Sequence, residues 1–157
     1  MRVLCCLDGT NIEQISTTVT TMLHSENLSL ALVYVIDHGP RGEMELQRER
    51  FFRSPTMKPR HKEQMQQAEN ATAQDILDEG TRYLSGATPS KREGNPEREI
   101  VRLAEEWSAD LVVLCPRSIQ SDGPSLGPKS VGHTARFVVD HAPCPVLLIR
   151  KQQRASV

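Results

Sequence analysis

The sequence is poor in aromatic residues and has almost no excess of charge. One tryptophan, two tyrosines and three phenylalanines make up 4% of the chain, which argues against a surface that stacks nucleic-acid bases. Nineteen basic residues oppose twenty acidic ones, and the net charge of −1 is typical neither of a nucleic-acid-binding surface nor of a polybasic membrane anchor. We therefore expect neither a nucleic-acid partner nor a membrane partner.

Long hydrophobic runs are also missing. No apolar stretch approaches the length of about 18 residues that a membrane-spanning helix needs. The chain runs from Met1 directly into a short apolar segment, without the pattern of a signal peptide, and we expect a cytoplasmic protein. A chain of 157 residues with 38% hydrophobic residues suits one domain, which we place at 1–150, followed by a polar tail at 151–157.

The four cysteines, Cys5, Cys6, Cys115 and Cys144, form no C-x-x-C pair, so their spacing favours neither a zinc site nor a thioredoxin-type site. We expect reduced and mostly buried thiols and no structural metal. Adjacent residues of a strand face opposite sides, so Cys5 and Cys6 should do so. A redox-sensing role is the alternative interpretation for Cys115, which ends a predicted strand.

Recognisable catalytic motifs are absent from the sequence. None of its five histidines belongs to an H-E-x-x-H motif, and there is no G-x-S-x-G motif. The run at 123–130, Gly-Pro-Ser-Leu-Gly-Pro-Lys-Ser, resembles a P-loop, but Pro128 occupies the position of the second glycine. Proline provides neither the N–H group nor the torsional freedom of a phosphate-binding loop. We expect no enzyme, and weak ATP hydrolysis stays open.

What the sequence does contain is a regular alternation of strand and helix patterns. Short apolar runs predict strands at 2–7, 28–36, 111–114 and 145–149, with a polar edge strand within 85–94. Helical spacing predicts helices at 12–23, 61–84, 96–107 and 132–141. Apolar strands joined by helices indicate an α/β protein with an open, doubly wound, five-stranded parallel sheet and helices on both faces.

Three local features complete this prediction. Thr10 and Glu13 have the spacing of a capping box at the start of the first helix. Asn95 followed by Pro96 is a strong start signal for the third helix. Residues 38–60 lose all periodicity, and we expect a long variable excursion there.

The carboxyl ends of the strands are the expected binding site, because ligands of doubly wound sheets bind there at the topological switch point. Asp8 follows the first strand and can accept a hydrogen bond from a ribose hydroxyl, although a plain turn-forming role is the alternative. The backbone near Val35 can pair with an adenine edge. The glycine-rich loop after the fourth strand leads into a helix and can bind phosphate, with Arg117 and Lys129 adding charge or simply facing solvent.

His133 is the only histidine that this scheme places in the site. The charged form of an imidazole is disfavoured at a helix N-terminus, so we expect a neutral donor at pH 7. Contact with a phosphate and a plain capping or surface role are both open for this residue.

Five segments of the chain resemble the universal stress protein family. They are 3–10 (Val-Leu-Cys-Cys-Leu-Asp-Gly-Thr), 32–37, 93–100, 109–114 and 132–150. The closing His-Ala-Pro-Cys-Pro-Val run is the most specific of these matches. The resemblance implies the strand order 3-2-1-4-5, a cytoplasmic stress-response protein, and a homodimer paired through the last strand, Val146–Ile149.

One branch of that family binds ATP, and the other does not. The resemblance implies that binders use an aspartate after the first strand and a loop of the form G-x-x-G, nine residues, G-S/T. Asp8 and Gly132 match this pattern, whereas His133 replaces the hydroxyl residue and Thr134 follows it. Cys115-Pro-Arg-Ser118 stands where the G-x-x-G element should be, and thirteen residues separate Ser118 from Gly132.

These departures weaken the expected triphosphate site, because Cβ atoms at 115 and 118 crowd a backbone that must approach the phosphates closely. Gly123 and Gly127 can rebuild a phosphate nest in the longer loop. The predicted binding residues for ATP or AMP are Leu7, Asp8, Val35, Cys115, Arg117, Gly127, Gly132, His133 and Thr134. The alternative function is a stress-protein dimer that binds no nucleotide and acts as a protein interaction module.

Overall fold

A computed structural model describes residues 1–24, 27–39, 59–116 and 131–150. These ranges contain five strands and four helices: β1 (Arg2–Cys6), α1 (Ile12–Met22), β2 (Ser29–Asp37), α2 (Pro59–Tyr83), β3 (Thr88–Gly94), α3 (Pro96–Glu106), β4 (Leu111–Leu114), α4 (His133–His141) and β5 (Val146–Leu148). Most of the predicted excursion, the loop at 117–130 and the tail lie outside the described residues. Of the helices described, none has the length and hydrophobicity to cross a bilayer.

The five strands form one parallel sheet in the order β3-β2-β1-β4-β5. Both the predicted α/β class and the predicted strand order are confirmed. β1 lies at the centre, where Val3 is opposite Leu30 of β2 and Leu111 of β4. The chain adds β2 and β3 on one side of β1 and then crosses to place β4 and β5 on the other side. The topological switch point therefore lies between β1 and β4.

Alternating side chains of β1 divide the core into two layers. Leu4 and Cys6 pack with residues of α3 and α4, such as Leu103 and Val138. Val3, Cys5 and Leu7 belong to the opposite layer, which contains residues of α1 and α2. Cys5 and Cys6 are buried free thiols on opposite faces, as predicted from their adjacency. Helices on both faces are what a parallel sheet of apolar strands requires.

Two helix starts show where local sequence signals succeed and fail. The Asn95 side chain accepts a hydrogen bond from the Arg98 amide at 3.3 Å, with Pro96 following it, so the predicted start of α3 is confirmed. The Thr10–Glu13 capping box is wrong. The Thr10 hydroxyl donates to Asp8 Oδ1 at 2.9 Å, and Asn11 occupies the N-cap position of α1. Asp8 offers an ionised acceptor two residues away and takes the hydroxyl that a capping box would use.

The buried stripes of the helices are narrower than their apolar patterns. Met22, Met65 and Val139 are apolar residues of these helices, yet they are exposed. In α2 the buried positions are Ala73, Leu77 and Gly80, followed by Leu84 just beyond the helix, whereas Ala68 and Thr72 are exposed. The residues from 61 to 69 are exposed on all sides. β3 is the predicted polar edge strand, and Pro89 is tolerated within it.

Candidate functional site

The turn after β1 fixes the position of Asp8. Leu7 is buried and extends the pairing of β1, because its amide donates to the Val33 carbonyl at 2.8 Å. The chain then turns at Gly9, whose φ of +89° is in the region that favours glycine. Asp8 Oδ1 accepts hydrogen bonds from the Thr10 amide at 2.8 Å and the Thr10 hydroxyl at 2.9 Å. Both bonds use the same oxygen, and no partner of Oδ2 occurs among the residues described.

The side chain of Asn11 stabilises this turn through hydrogen bonds to the backbone on either side of Leu7. The sequence did not identify this residue. Its side chain is almost fully buried, at 3% exposure. Oδ1 accepts from the Asp8 amide at 3.0 Å, and Nδ2 donates to the Cys6 carbonyl at 3.0 Å. The available signal was an asparagine directly before the helical pattern, where short polar side chains satisfy nearby backbone groups.

Val35 lies on a part of β2 that extends past the end of β1. The pairing of the two strands ends with Cys6 opposite Val33, whereas β2 continues to Asp37. The N–H and C=O groups of a strand alternate between its two neighbours, and the Val33 carbonyl is turned toward β1. The backbone groups of Val35 are turned to the same side, at a level where β1 has already ended. This is the position predicted to meet an adenine edge.

Cys115 directly follows β4 and lies beside the Asp8 turn. Its thiol donates to Gln14 Oε1 at 3.6 Å. Burial raises the pKa of Cys115 to about 11, a hydrogen bond with the Asn11 side chain lowers it, and the negative charge of Asp8 raises it. These contacts bring the carboxyl ends of β1 and β4 together, as the pairing of the two strands requires. A thiol that remains protonated at neutral pH argues against the alternative redox-sensing role.

The start of α4 provides the third group of predicted residues. Gly132 is its N-cap residue with a φ of +83°, a conformation that side chains rarely adopt. The Gly132 carbonyl accepts from the Arg136 amide at 3.1 Å and so begins the helix. His133 is exposed, and Thr134 is half-buried. The N–H groups of this first helical turn have no partner within the helix, which makes them suitable for an anion.

Glu97, in the first turn of α3, is a buried carboxylate that the sequence analysis did not identify. It is 7% exposed, and its Oε1 lies 3.0 Å from Nε2 of His133. The contact joins two helix N-termini at the same edge of the sheet, because α3 begins directly after β3 and α4 follows β4. No local signal distinguishes Glu97 from the nineteen other acidic residues of the chain.

The described residues thus bring Leu7, Asp8 and Cys115 to one place, with Val35 on the adjacent strand. Gly132, His133 and Thr134 begin a helix at the same edge of the sheet. Arg117 and Gly127 lie outside the described residues, as do Gly123 and Lys129. Within the described ranges, no group of three His, Cys, Asp or Glu side chains could hold a metal ion. The arrangement offers an acceptor for a hydroxyl, a strand backbone that β1 no longer pairs with, and a helix start suited to an anion.

Solved structures with the same fold come from bacteria, plants and archaea. Universal stress protein UspA from Lactobacillus plantarum is 24% identical, with 96% of this chain and 97% of that chain covered and a TM-score of 0.63. A universal stress protein family protein from Arabidopsis thaliana with AMP bound is 16% identical, with 98% and 93% covered and a TM-score of 0.60. A universal stress protein from Archaeoglobus fulgidus in complex with dAMP is 16% identical, with 95% and 97% covered and a TM-score of 0.54.

At these identities the structures establish the fold alone. Among curated protein sequences, none matches this chain significantly. The model of the universal stress protein family matches residues 1–150. Because this match covers nearly the whole sequence, the chain belongs to the universal stress protein family.

Proposed function

We propose that the protein binds an adenine nucleotide, AMP in preference to ATP, and acts as a stress-response regulator with little or no hydrolysis. The observation that carries this proposal is the Asp8 turn beside Val35, which lies past the last residue pair of β1 and β2. Asp8 Oδ1 is occupied by Thr10, and Oδ2 provides the acceptor for a ribose hydroxyl. The extension of β2 past β1 provides a backbone donor and acceptor for the edge of the base.

The phosphate end of the ligand belongs at the start of α4. The first amide groups of α4, which have no partner within the helix, and the helix dipole favour an anion there, next to Gly132. Relatives of the same fold were crystallised with AMP, cAMP and dAMP, which supports an adenine nucleotide as the ligand class.

A preference for AMP follows from Cys115. This residue stands where the ATP-binding pattern has glycine, and its half-buried side chain already contacts Gln14. A Cβ and a sulfur at this position restrict the close approach of the backbone that a triphosphate needs. A monophosphate extends less far along the loop and avoids this restriction.

Isothermal titration calorimetry with AMP, ATP, adenosine and GMP tests the proposal. The informative variant is Asp8→Asn, because the amide oxygen still accepts the Thr10 bonds while the charge and one acceptor are lost. Hydrogen bonds to charged groups contribute about 1.5–3 kcal/mol, so the variant should bind AMP roughly ten- to hundredfold more weakly. Asp75→Asn, on the exposed face of α2, is the matched control and should bind AMP normally.

The expected order of affinity is AMP above ATP and adenosine, with GMP weakest. Failure of all four ligands to bind at millimolar concentration would refute the proposal. It would favour the second candidate, an interaction module without nucleotide, for which the replacement of the first loop glycine by Cys115 is the supporting observation.

We further propose that the protein forms a homodimer paired through β5. We also propose that it is cytoplasmic and that residues 1–150 form one domain. β5 is an edge strand, and Val146, Leu147 and Leu148 are only half-buried. An unpaired apolar edge favours pairing with a second strand. Leu147→Lys should shift the sedimentation coefficient to that of a monomer, and an unchanged dimer would contradict this assignment. Four free cysteines suit a reducing compartment.

A further inference from the structure

The buried carboxylate of Glu97 needs an explanation, since an ionised group loses its hydration when it is buried. Its position in the first turn of α3 provides part of one, because the positive end of the helix dipole favours a negative charge. Among the described residues, the side-chain partner of Glu97 is His133, whose Nε2 lies 3.0 Å from Oε1. The Glu97 side chain is 9% exposed and the His133 side chain is 81% exposed. A buried carboxylate therefore contacts Nε2 of an imidazole ring that otherwise faces solvent.

This contact determines what the imidazole can offer to a ligand. An ionised carboxylate only accepts hydrogen bonds, so Nε2 of His133 carries the hydrogen that points to Glu97. In the neutral ring Nδ1 is then an acceptor, and it cannot bond a phosphate dianion, which also only accepts. When both ring nitrogens carry hydrogen, Nδ1 becomes a charged donor that can bond a phosphate oxygen while Nε2 stays on Glu97.

Among the described residues, few charged groups lie on the elements that surround His133. The helix dipole of α4 opposes a positive ring at this position. α4 packs against α3 and β5, and α3 contributes Glu97, whereas Val146–Leu148 of β5 carry no charge. On α4 itself, Arg136 follows one turn later. Glu97 is therefore the described group that compensates a charged ring, both by its negative charge and by accepting a hydrogen bond.

We propose that Glu97 is a positioning residue that makes His133 the phosphate-binding side chain of the site, so that binding of AMP is coupled to uptake of one proton by His133. This inference rests on the proposed function, because it assumes an adenine nucleotide at the carboxyl edge of the sheet. It assigns a ligand contact to the histidine that stands where the ATP-binding pattern has a hydroxyl residue. In the complex with AMP the ring is then a charged donor, whereas the sequence alone suggested a neutral donor, because that expectation lacked the buried carboxylate.

The test compares AMP with adenosine, which lacks the phosphate, by calorimetry at pH 6.5 and pH 8.5. The wild-type protein should bind AMP at least tenfold more tightly than adenosine at pH 6.5, and this ratio should fall several-fold at pH 8.5. Titrations at pH 7.5 in two buffers of different ionisation enthalpy should show proton uptake with AMP and none with adenosine. His133→Asn should remove the proton uptake and most of the preference for AMP, and leave adenosine binding unchanged.

Glu97→Gln keeps an acceptor at the same place but removes the charge that compensates the ring. This variant should also lose proton uptake and weaken AMP binding about tenfold without affecting adenosine. Combined with His133→Asn, it should have no additional effect on AMP, because Glu97 acts through the ring. AMP changes its own protonation near pH 6, and the difference between the wild type and His133→Asn removes this common contribution.

The outcomes separate this inference from the proposed function. If adenosine and AMP both bind, and neither variant changes their ratio or the proton uptake, the role of Glu97 and His133 is refuted while the nucleotide site stands. If the wild-type protein binds neither ligand, the proposed function is refuted and this inference with it. Equal losses of AMP and adenosine affinity in Glu97→Gln would show a general structural role and would also refute the inference.

Discussion

Removal of the Asn11 side chain should destabilise the protein more than any exposed substitution in the site. Asn11→Ala leaves the Cys6 carbonyl and the Asp8 amide without their partners, each of which now lies at 3.0 Å. An unsatisfied buried polar group costs about 1–3 kcal/mol. The Cys6 carbonyl is buried and should incur the larger cost, whereas water can reach the partly buried Asp8 amide. Together the two losses amount to about 2–4 kcal/mol.

Asn11→Asp separates hydrogen bonding from side-chain volume. The aspartate keeps an acceptor for the Asp8 amide, but it places an oxygen against the Cys6 carbonyl and a buried charge near Asp8. At pH 7 the variant should be at least as unstable as Asn11→Ala. At pH 4 its stability should recover relative to Asn11→Ala, because a protonated carboxyl group can donate to the Cys6 carbonyl.

Urea unfolding followed by circular dichroism measures these differences, with Thr10→Ala as the control. Thr10 is exposed and its hydroxyl makes one bond to Asp8, so this control should lose less than about 1 kcal/mol. For a chain of this size, each kcal/mol lowers the melting temperature by about 2–4 °C, so Asn11→Ala should melt roughly 5–15 °C earlier. A loss below about 1 kcal/mol in both Asn11 variants would refute the argument, because water would then replace the amide at little cost.

Three further predictions concern the packing and the thiols. In Gly80→Ala the new Cβ would lie 2.8 Å from Leu32 Cδ1 and 2.9 Å from Leu7 Cδ1. Overpacking should cost about 1–3 kcal/mol and exceed the gain of about 1 kcal/mol in helix propensity, so the variant should be less stable. A variant that is more stable in urea unfolding would contradict this. Burial raises the pKa of Cys5 to about 12, so above pH 9 the unfolded chain releases a proton that the folded protein keeps. The free energy of unfolding should therefore fall about 1.4 kcal/mol per pH unit more steeply in the wild type than in Cys5→Ala between pH 9.5 and 11, and parallel slopes would exclude the effect. Because the pKa of Cys115 is raised to about 11, this thiol should react with Ellman's reagent at pH 8 about a hundredfold more slowly than a free thiol, whereas all four cysteines should react rapidly in urea.

The fold was largely predictable because each strand and helix carries its own short sequence pattern, and the same two patterns alternate along the chain. Strands such as Leu111–Leu114 are apolar runs between polar turns, and helices such as α3 carry both a start signal and a buried stripe. The strand order came from the family resemblance, since periodicity does not specify which strands are neighbours. The exposure of Met22 and Met65 was not predictable from periodicity, because a pattern gives the direction of the apolar face and not how much of it the sheet covers.

The candidate site was less predictable because its central contacts join distant parts of the chain. The burial of Glu97 follows from the packing of α3 on α4, and its contact with His133 spans thirty-six positions of sequence. Asn11 is closer to its partners, but its role depends on the Cys6 carbonyl being left unpaired at the end of β1. Sequence patterns identify groups with suitable chemistry, and tertiary packing decides which of them lose access to water and so need a partner.

Asp8 shows how two interpretations of one residue can both hold. The sequence left a turn-forming role and a ligand-binding role as alternatives. The bonds from the Thr10 amide and hydroxyl both end on Oδ1, so the turn uses only one of the two carboxylate oxygens. These bonds also fix the orientation of the carboxylate, which reduces the conformational entropy that binding a ribose hydroxyl would cost. The turn-forming role therefore prepares the ligand-binding role that we propose, and Asp8→Asn separates the two because it preserves the first while weakening the second.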